Sequence, residues 1–108
     1  MNLNAVAAEL HEISQRREQN GARLDNTNIG LLKHCAGEVI EATNAYTRWK
    51  YSDLYDIDIE REQVEEELAD VIACILILCA AEKIDIEKAL RNCIAKNQAR
   101  AEGKGAKA

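Results

Sequence analysis

Apolar residues recur along this chain at helical spacing, in four segments. In the first, Leu3, Val6, Leu10 and Ile13 make one stripe, which predicts a helix from about Asn4 to Asn20. Gly21 follows as a C-terminal stop, and "ARLDNTN" reads as a loop. A second helix is predicted over Asn28 to Lys50. There Leu32, Val39 and Tyr46 recur every seven residues, as do Cys35, Ala42 and Trp49, and the two sets form one apolar stripe. The stretch "YSDLYDID" reads as a connector. A third helix is predicted from about Ile59 to Lys83, acidic in its first half and apolar on every side in its second. A helix that is apolar all round is either buried or covered by a partner chain. In so short a chain, that favours a homodimer or homotetramer. The fourth helix is expected to start after Asp85 as N-cap, with Ile86, Leu90, Cys93 and Asn97 as its stripe. The tail from residue 101 to 108, "AEGKGAKA", is expected to be mobile. These elements predict an all-α fold: one domain over residues 1–108, a compact four-helix bundle completed by oligomerisation.

Asp70 breaks the third pattern. From Leu68 to Ala81 it is the one position that is neither apolar nor small. A carboxylate there is costly to bury without a partner. Its helical neighbours Cys74 and Ile77 are apolar, so a merely solvated face does not explain it.

Composition narrows the chemistry. With 108 residues, 47% hydrophobic and 31% charged, the chain has a globular balance. Its net charge of -5 argues against a nucleic-acid partner. There is no proline, so long helices can run unbroken. The N-terminus lacks the basic-then-apolar order of a signal peptide. The Leu68–Ala81 run is shorter than the roughly 20 residues that span a bilayer. No membrane role is expected, and the location is read as cytoplasmic. Cys35, Cys74, Cys79 and Cys93 show no CxxC spacing and sit among apolar neighbours, which reads as buried, reduced thiols.

The carboxylates pair up. Glu38 and Glu41 in "GEVIEA" stand three apart, and so do Glu67 and Asp70 in "EELAD". Residues three apart on a helix share a side, so each pair can aim at one point. If the second and third helices pack antiparallel, the pairs face each other, and a cation must offset their repulsion. All four donors are hard oxygens, with no His or Cys at matching spacing. That favours Mg²⁺, or Mn²⁺, over zinc. Asp70 is expected as the innermost ligand, directed at Glu38 and Glu41.

At these residues the chain resembles the MazG-like family of all-α nucleoside triphosphate pyrophosphohydrolases. The family motif is ExxE, a gap, then ExxD. Here it reads Glu38-Val-Ile-Glu41 and Glu67-Leu-Ala-Asp70, with residues 42–66 between them. Asn97 and Arg100 in "KNQAR" match the family's Asn-x-x-Arg, and the resemblance covers about residues 28–100. It implies Mg²⁺-dependent hydrolysis of a nucleoside triphosphate to the monophosphate and pyrophosphate. Glu38, Glu41, Glu67 and Asp70 would hold the metal, and Glu38 or Glu41 would take the water's proton. Asn97, Arg100 and Lys96 would contact the substrate. Trp49 could stack on the base, or simply continue the core stripe. Where the family often carries a lysine, this chain has Cys93, and Lys96 or a tail lysine is the candidate substitute. Two other readings remain open: a phosphoribosyl-ATP pyrophosphohydrolase, and a non-catalytic helical interaction module with a structural ion site.

Overall fold

The computed structural model describes residues 1–23, 27–51 and 60–103. It contains four helices: α1 (Leu3–Gln19), α2 (Asn28–Lys50), α3 (Arg61–Ala81) and α4 (Ile86–Ala101). The fold is all-α, as the apolar spacing predicts. Helix α3 begins and ends two residues inside its expected limits. Its expected first residue, Ile59, lies outside the described residues, as do most of the "YSDLYDID" connector, residues 24–26 of the loop and 104–108 of the tail.

Each helix starts on a residue suited to it. The side chains of Asn2, Thr27 and Asp85 accept hydrogen bonds from Ala5 N, Gly30 N and Lys88 N. Each satisfies one of the donors that a helix N-terminus leaves open. At α3, Glu60 N donates to Gln63 Oε1 at 2.9 Å. After α1, Gly21 takes φ +95°, which a side chain would oppose, and this turns the chain out of the helix.

Helix α3 lies at the centre and packs against both α2 and α1. Cys74 and Leu76, two apart and so on nearly opposite sides of the helix, are both buried. The core adds Val64 and Cys79 from α3, Leu31, Cys35 and Ala42 from α2, and Ala7 and Ser14 from α1. Much of this core is small side chains, so the helices approach closely but bury little area per residue.

Two stripes expected in the core are only partly there. In α2, Cys35 and Ala42 are buried with Leu31, but Leu32, Val39 and Tyr46 stay exposed. In α1 the buried positions are Ala7 and Ser14, while Ile13 is at the surface. Leu68, Ile72 and Ile75 of α3 are 50, 58 and 42% exposed. They fall within about 60° of one another around the helix, so they form one face. Helix α4 contributes no buried residue, and its expected stripe members Leu90, Cys93 and Asn97 are exposed. The reason is geometric: α4 touches α1 near its start and leaves most of its length uncovered. The Cα radius of gyration is accordingly 17.0 Å, against about 13 Å for a closed globule of this length.

A polar clasp fixes the start of α4. Asn4 Nδ2 donates to Asp85 Oδ1 at 2.9 Å, Ile86 N donates to Asn4 Oδ1 at 3.1 Å, and Leu3 N donates to Glu87 Oε1 at 2.6 Å. The Asn4 hydrogen bond, then the Lys88 N–H, hold the Asp85 carboxyl below its ordinary value of 3.8. A carboxyl depressed in the folded state stabilises it above its unfolded value, and that contribution goes as pH falls through the native one. Asp85→Asn keeps a capping side chain but no titrating group. Thermal melts across the acid range should therefore show a shallower loss of stability below pH 3.8 in the variant than in the parent.

Candidate active site

The α2–α3 seam sets the site. Around α2, Glu38 falls on the same side as Leu31, Cys35 and Ala42, the residues that α3 covers. Its side chain is 14% exposed. Glu41, three residues on, sits about 60° away and is exposed. From α3, Glu67 is half-buried and Asp70 exposed. One carboxylate oxygen from each of Glu38, Glu67 and Asp70 lies within 4.8 Å of the others. These three of the four expected carboxylates converge, and Glu41 stands outside that group. Asp70 faces Glu38, but it is the open member of the cluster. The more enclosed carboxylates are Glu38 and Glu67, which differs from the expectation that Asp70 is the innermost one.

The seam also divides two hollows. A cavity of about 760 Å³ between α1, α2 and α3 has Glu38 and Asp70 on its wall. A smaller one of about 310 Å³ is lined by Glu41 and Glu67 together with Arg48 and Gln63. The larger cavity has an apolar side, with Leu10, Ile13 and Ile77, and a basic one, with Arg17, Arg23 and Lys33. None of these cations was singled out from the sequence. They sit on α1, in the following loop and on α2, and the packing of the helices brings them to the same cavity as Glu38 and Asp70.

The electrostatics are those of like charges brought together. Burial raises the Glu38 carboxyl above its ordinary 4.5, and the charges of Glu41 and Asp70 raise it further. His34 Nε2, 3.3 Å from Glu38 Oε1, opposes this weakly. Glu38 Oε2 and Glu67 Oε2 are buried without a hydrogen-bond partner among the described residues. A buried carboxylate oxygen left unpaired is costly, and a cation is the partner that several such oxygens share. Hard, anionic oxygens converging from two helices fit a small divalent ion. The residues present therefore fit the metal that the motif implies.

The remaining expected residues lie elsewhere. Trp49 packs edge-on against Tyr46, ring centroids 5.9 Å apart, under the Lys50 ammonium at 4.2 Å. It lines neither hollow. Lys96, Asn97 and Arg100 are exposed on α4 and also line neither. Asn97 Nδ2 donates to the Cys93 carbonyl one turn back, at 2.8 Å. The cysteines are all free. Cys35, Cys74 and Cys79 are buried as expected, but Cys93 is exposed because nothing covers α4. Burial pushes the Cys74 thiol up to about 12, with Cys35 and Glu38 adding to it. Among the described residues, no helix is long and apolar enough to cross a membrane.

The family model of the MazG nucleotide pyrophosphohydrolase domain matches residues 26–103, a span that contains both carboxylate pairs and all of α2, α3 and α4. No curated protein and no solved structure matches the chain.

Proposed function

Because the chain belongs to the MazG nucleotide pyrophosphohydrolase family, we propose that it hydrolyses a nucleoside or deoxynucleoside triphosphate, with Mg²⁺, to the monophosphate and pyrophosphate. The observation that carries this reading is the convergence of Glu38, Glu67 and Asp70, with two orphaned buried oxygens, where Glu38 and Asp70 wall a cavity that also holds cations. Mg²⁺, or Mn²⁺ in its place, would be held by those three carboxylates. When bound it neutralises phosphate charge and makes water more acidic.

The chain's own groups do the rest. Water adds to the α-phosphorus, the bond to the α–β bridging oxygen breaks, and pyrophosphate leaves. Glu41 lies beside the cluster but outside the converging group, so its carboxylate is free to accept the water's proton. Glu38 can do so only by giving up its place among the ligands. Arg17, Arg23 and Lys33 offset the charge of the polyphosphate and of the departing pyrophosphate. Leu10, Ile13 and Ile77 offer the base an apolar wall, and a cavity of about 760 Å³ is of ligand size.

The assembly reading belongs here too. Leu68, Ile72 and Ile75 of α3 and Leu32 and Val39 of α2 present apolar surface that a homodimer or homotetramer would cover. Helix α4, with Lys96, Asn97 and Arg100, meets substrate only in such an assembly. Ile72→Glu places a charge in that face, and sedimentation velocity should show it lowering the oligomeric state. A parent chain that sediments as a monomer at every concentration would count against assembly. With reduced thiols and no membrane helix among the described residues, the cytoplasm is the proposed setting.

The deciding measurement is pyrophosphate release from a panel of NTPs and dNTPs, with Mg²⁺ and with chelator. Release that depends on the cation is expected. No release from any nucleotide, or release untouched by chelator, would overturn the reading.

A further inference from the structure

A second donor set overlaps the first. His34, Glu38 and Cys74 each offer one ligand atom, and those atoms lie within 4.8 Å of one another. Sequence spacing does not reveal it. His34 and Glu38 are one turn apart on α2, and Cys74 comes from α3, 36 positions further on from Glu38 (74 − 38). The set is chemically unlike the carboxylate cluster. It has an imidazole, a thiol and one carboxylate, which is a zinc-type combination and a poor one for Mg²⁺.

We propose that His34, Glu38 and Cys74 form a binding site for Zn²⁺, and that Zn²⁺ there takes Glu38 away from the Glu38–Glu67–Asp70 cluster. Geometry supports it in three ways. The His34 Nε2 to Glu38 Oε1 separation is 3.3 Å. Two ligands of a tetrahedral ion with bonds of about 2.0–2.2 Å stand about 3.3–3.5 Å apart, so that pair is already at bonding separation. Cys74 is 8% exposed yet lines the large cavity beside His34 and Glu38, so the thiol is enclosed but reachable from one side. Glu38 Oε2 is buried with no hydrogen-bond partner among the described residues, so the carboxylate can rotate toward an ion without breaking a hydrogen bond at that oxygen.

Binding forms Zn–N, Zn–O and Zn–S bonds. It releases the Cys74 thiol proton to solvent, leaving the fourth position to water. Cys35, hydrogen-bonded to Cys74, is the thiol that stands behind it. The binding itself is independent of the proposed hydrolysis. Its consequence rests on that reading: Zn²⁺ inhibits by competing for one shared carboxylate.

The test uses the reduced full chain and Co²⁺ as a spectroscopic stand-in for Zn²⁺. Thiolate-to-cobalt charge transfer and tetrahedral d–d bands are expected, and Zn²⁺ should erase them. Cys74→Ser should remove the charge-transfer band, and Cys93→Ser should leave it unchanged. Loss of a neighbour that merely orients a ligand costs about 10–100-fold in metal affinity. His34→Gln removes a ligand at a largely exposed position that should not affect folding, so Zn²⁺ affinity should fall by at least that factor. Raising Mg²⁺ should weaken Zn²⁺ binding in the parent. A charge-transfer band that survives Cys74→Ser, or Zn²⁺ affinity indifferent to His34→Gln, overturns the site. Zn²⁺ binding that ignores Mg²⁺ overturns the sharing of Glu38. Where pyrophosphate release is present, its fractional inhibition by Zn²⁺, measured against each protein's own uninhibited rate, should be lost in His34→Gln. Where it is absent, the spectra still decide the site.

Discussion

Glu41→Gln should lower kcat for pyrophosphate release by about 10²–10⁴-fold, the range that a positioned general base contributes. Its affinity for the divalent ion should change only a few-fold. The expectation follows from where the two motifs arrive. Glu38, Glu67 and Asp70 converge within 4.8 Å, and Glu41 does not join them. Glutamine keeps the shape of the side chain and removes the proton acceptor. Glu67→Gln and Asp70→Asn should behave differently. Each removes a converging oxygen, so each should weaken activation by Mg²⁺ and also lower the rate. Metal titration of activity separates the cases: a changed maximum at an unchanged midpoint for Glu41, and a shifted midpoint for Glu67 and Asp70. If Glu41→Gln shifts the midpoint as far as Asp70→Asn does, Glu41 is a ligand and the base is elsewhere. Full activity in Glu41→Gln would remove Glu41 as the base, and full activity in Asp70→Asn would remove the metal-site account altogether.

Glu38→Gln should raise the melting temperature of the metal-free chain while abolishing the rise that Mg²⁺ gives the parent. Burial and neighbouring carboxylates hold the Glu38 carboxyl above 4.5, and its Oε2 has no hydrogen-bond partner among the described residues. The folded state therefore binds this proton more tightly than the unfolded state does. By linkage, stability falls as pH rises from 4.5 through the raised native value, and the penalty is complete above it. Above that raised value the ionised Glu38 is a cost that a bound cation offsets. Glutamine carries no charge to offset, so the variant should lose both the pH dependence in that window and the response to Mg²⁺. Melts of parent and variant from mildly acidic to neutral pH, with chelator and with Mg²⁺, test both parts. A variant less stable than the metal-free parent at neutral pH would show that Glu38 contributes through its packing and not against it.

Much of the architecture was legible in the residue pattern. All four helices fall where the spacing predicts, and Asp85 and Gly21 act as the cap and stop that they resemble. Local signals sufficed because caps and stops act within one turn. The core was less legible. Leu32, Val39 and Tyr46 belong to the same seven-residue pattern as Cys35 and Ala42, yet only the latter two are buried. A stripe in a sequence records that a face is apolar. It does not record whether the same chain or a second copy covers it.

The same division runs through the site. By itself, the sequence determined an all-helical chain and two carboxylate pairs, Glu38 with Glu41 and Glu67 with Asp70, each on one side of its helix. Helical periodicity is a local property, and three-residue spacing is enough to set it. Only the tertiary structure decided which members of those pairs meet. The rotation of α2 against α3 turns Glu38 into the seam beside Glu67 and Asp70, leaves Glu41 at its edge, and sets Cys74 beside His34. It also decided that Arg17, Arg23 and Lys33 share a cavity with the carboxylates. Those juxtapositions join residues far apart in the chain. They depend on the angle and depth at which the helices pack, which small core residues such as Ala7, Cys35, Ala42 and Cys74 set collectively and no single motif spells out.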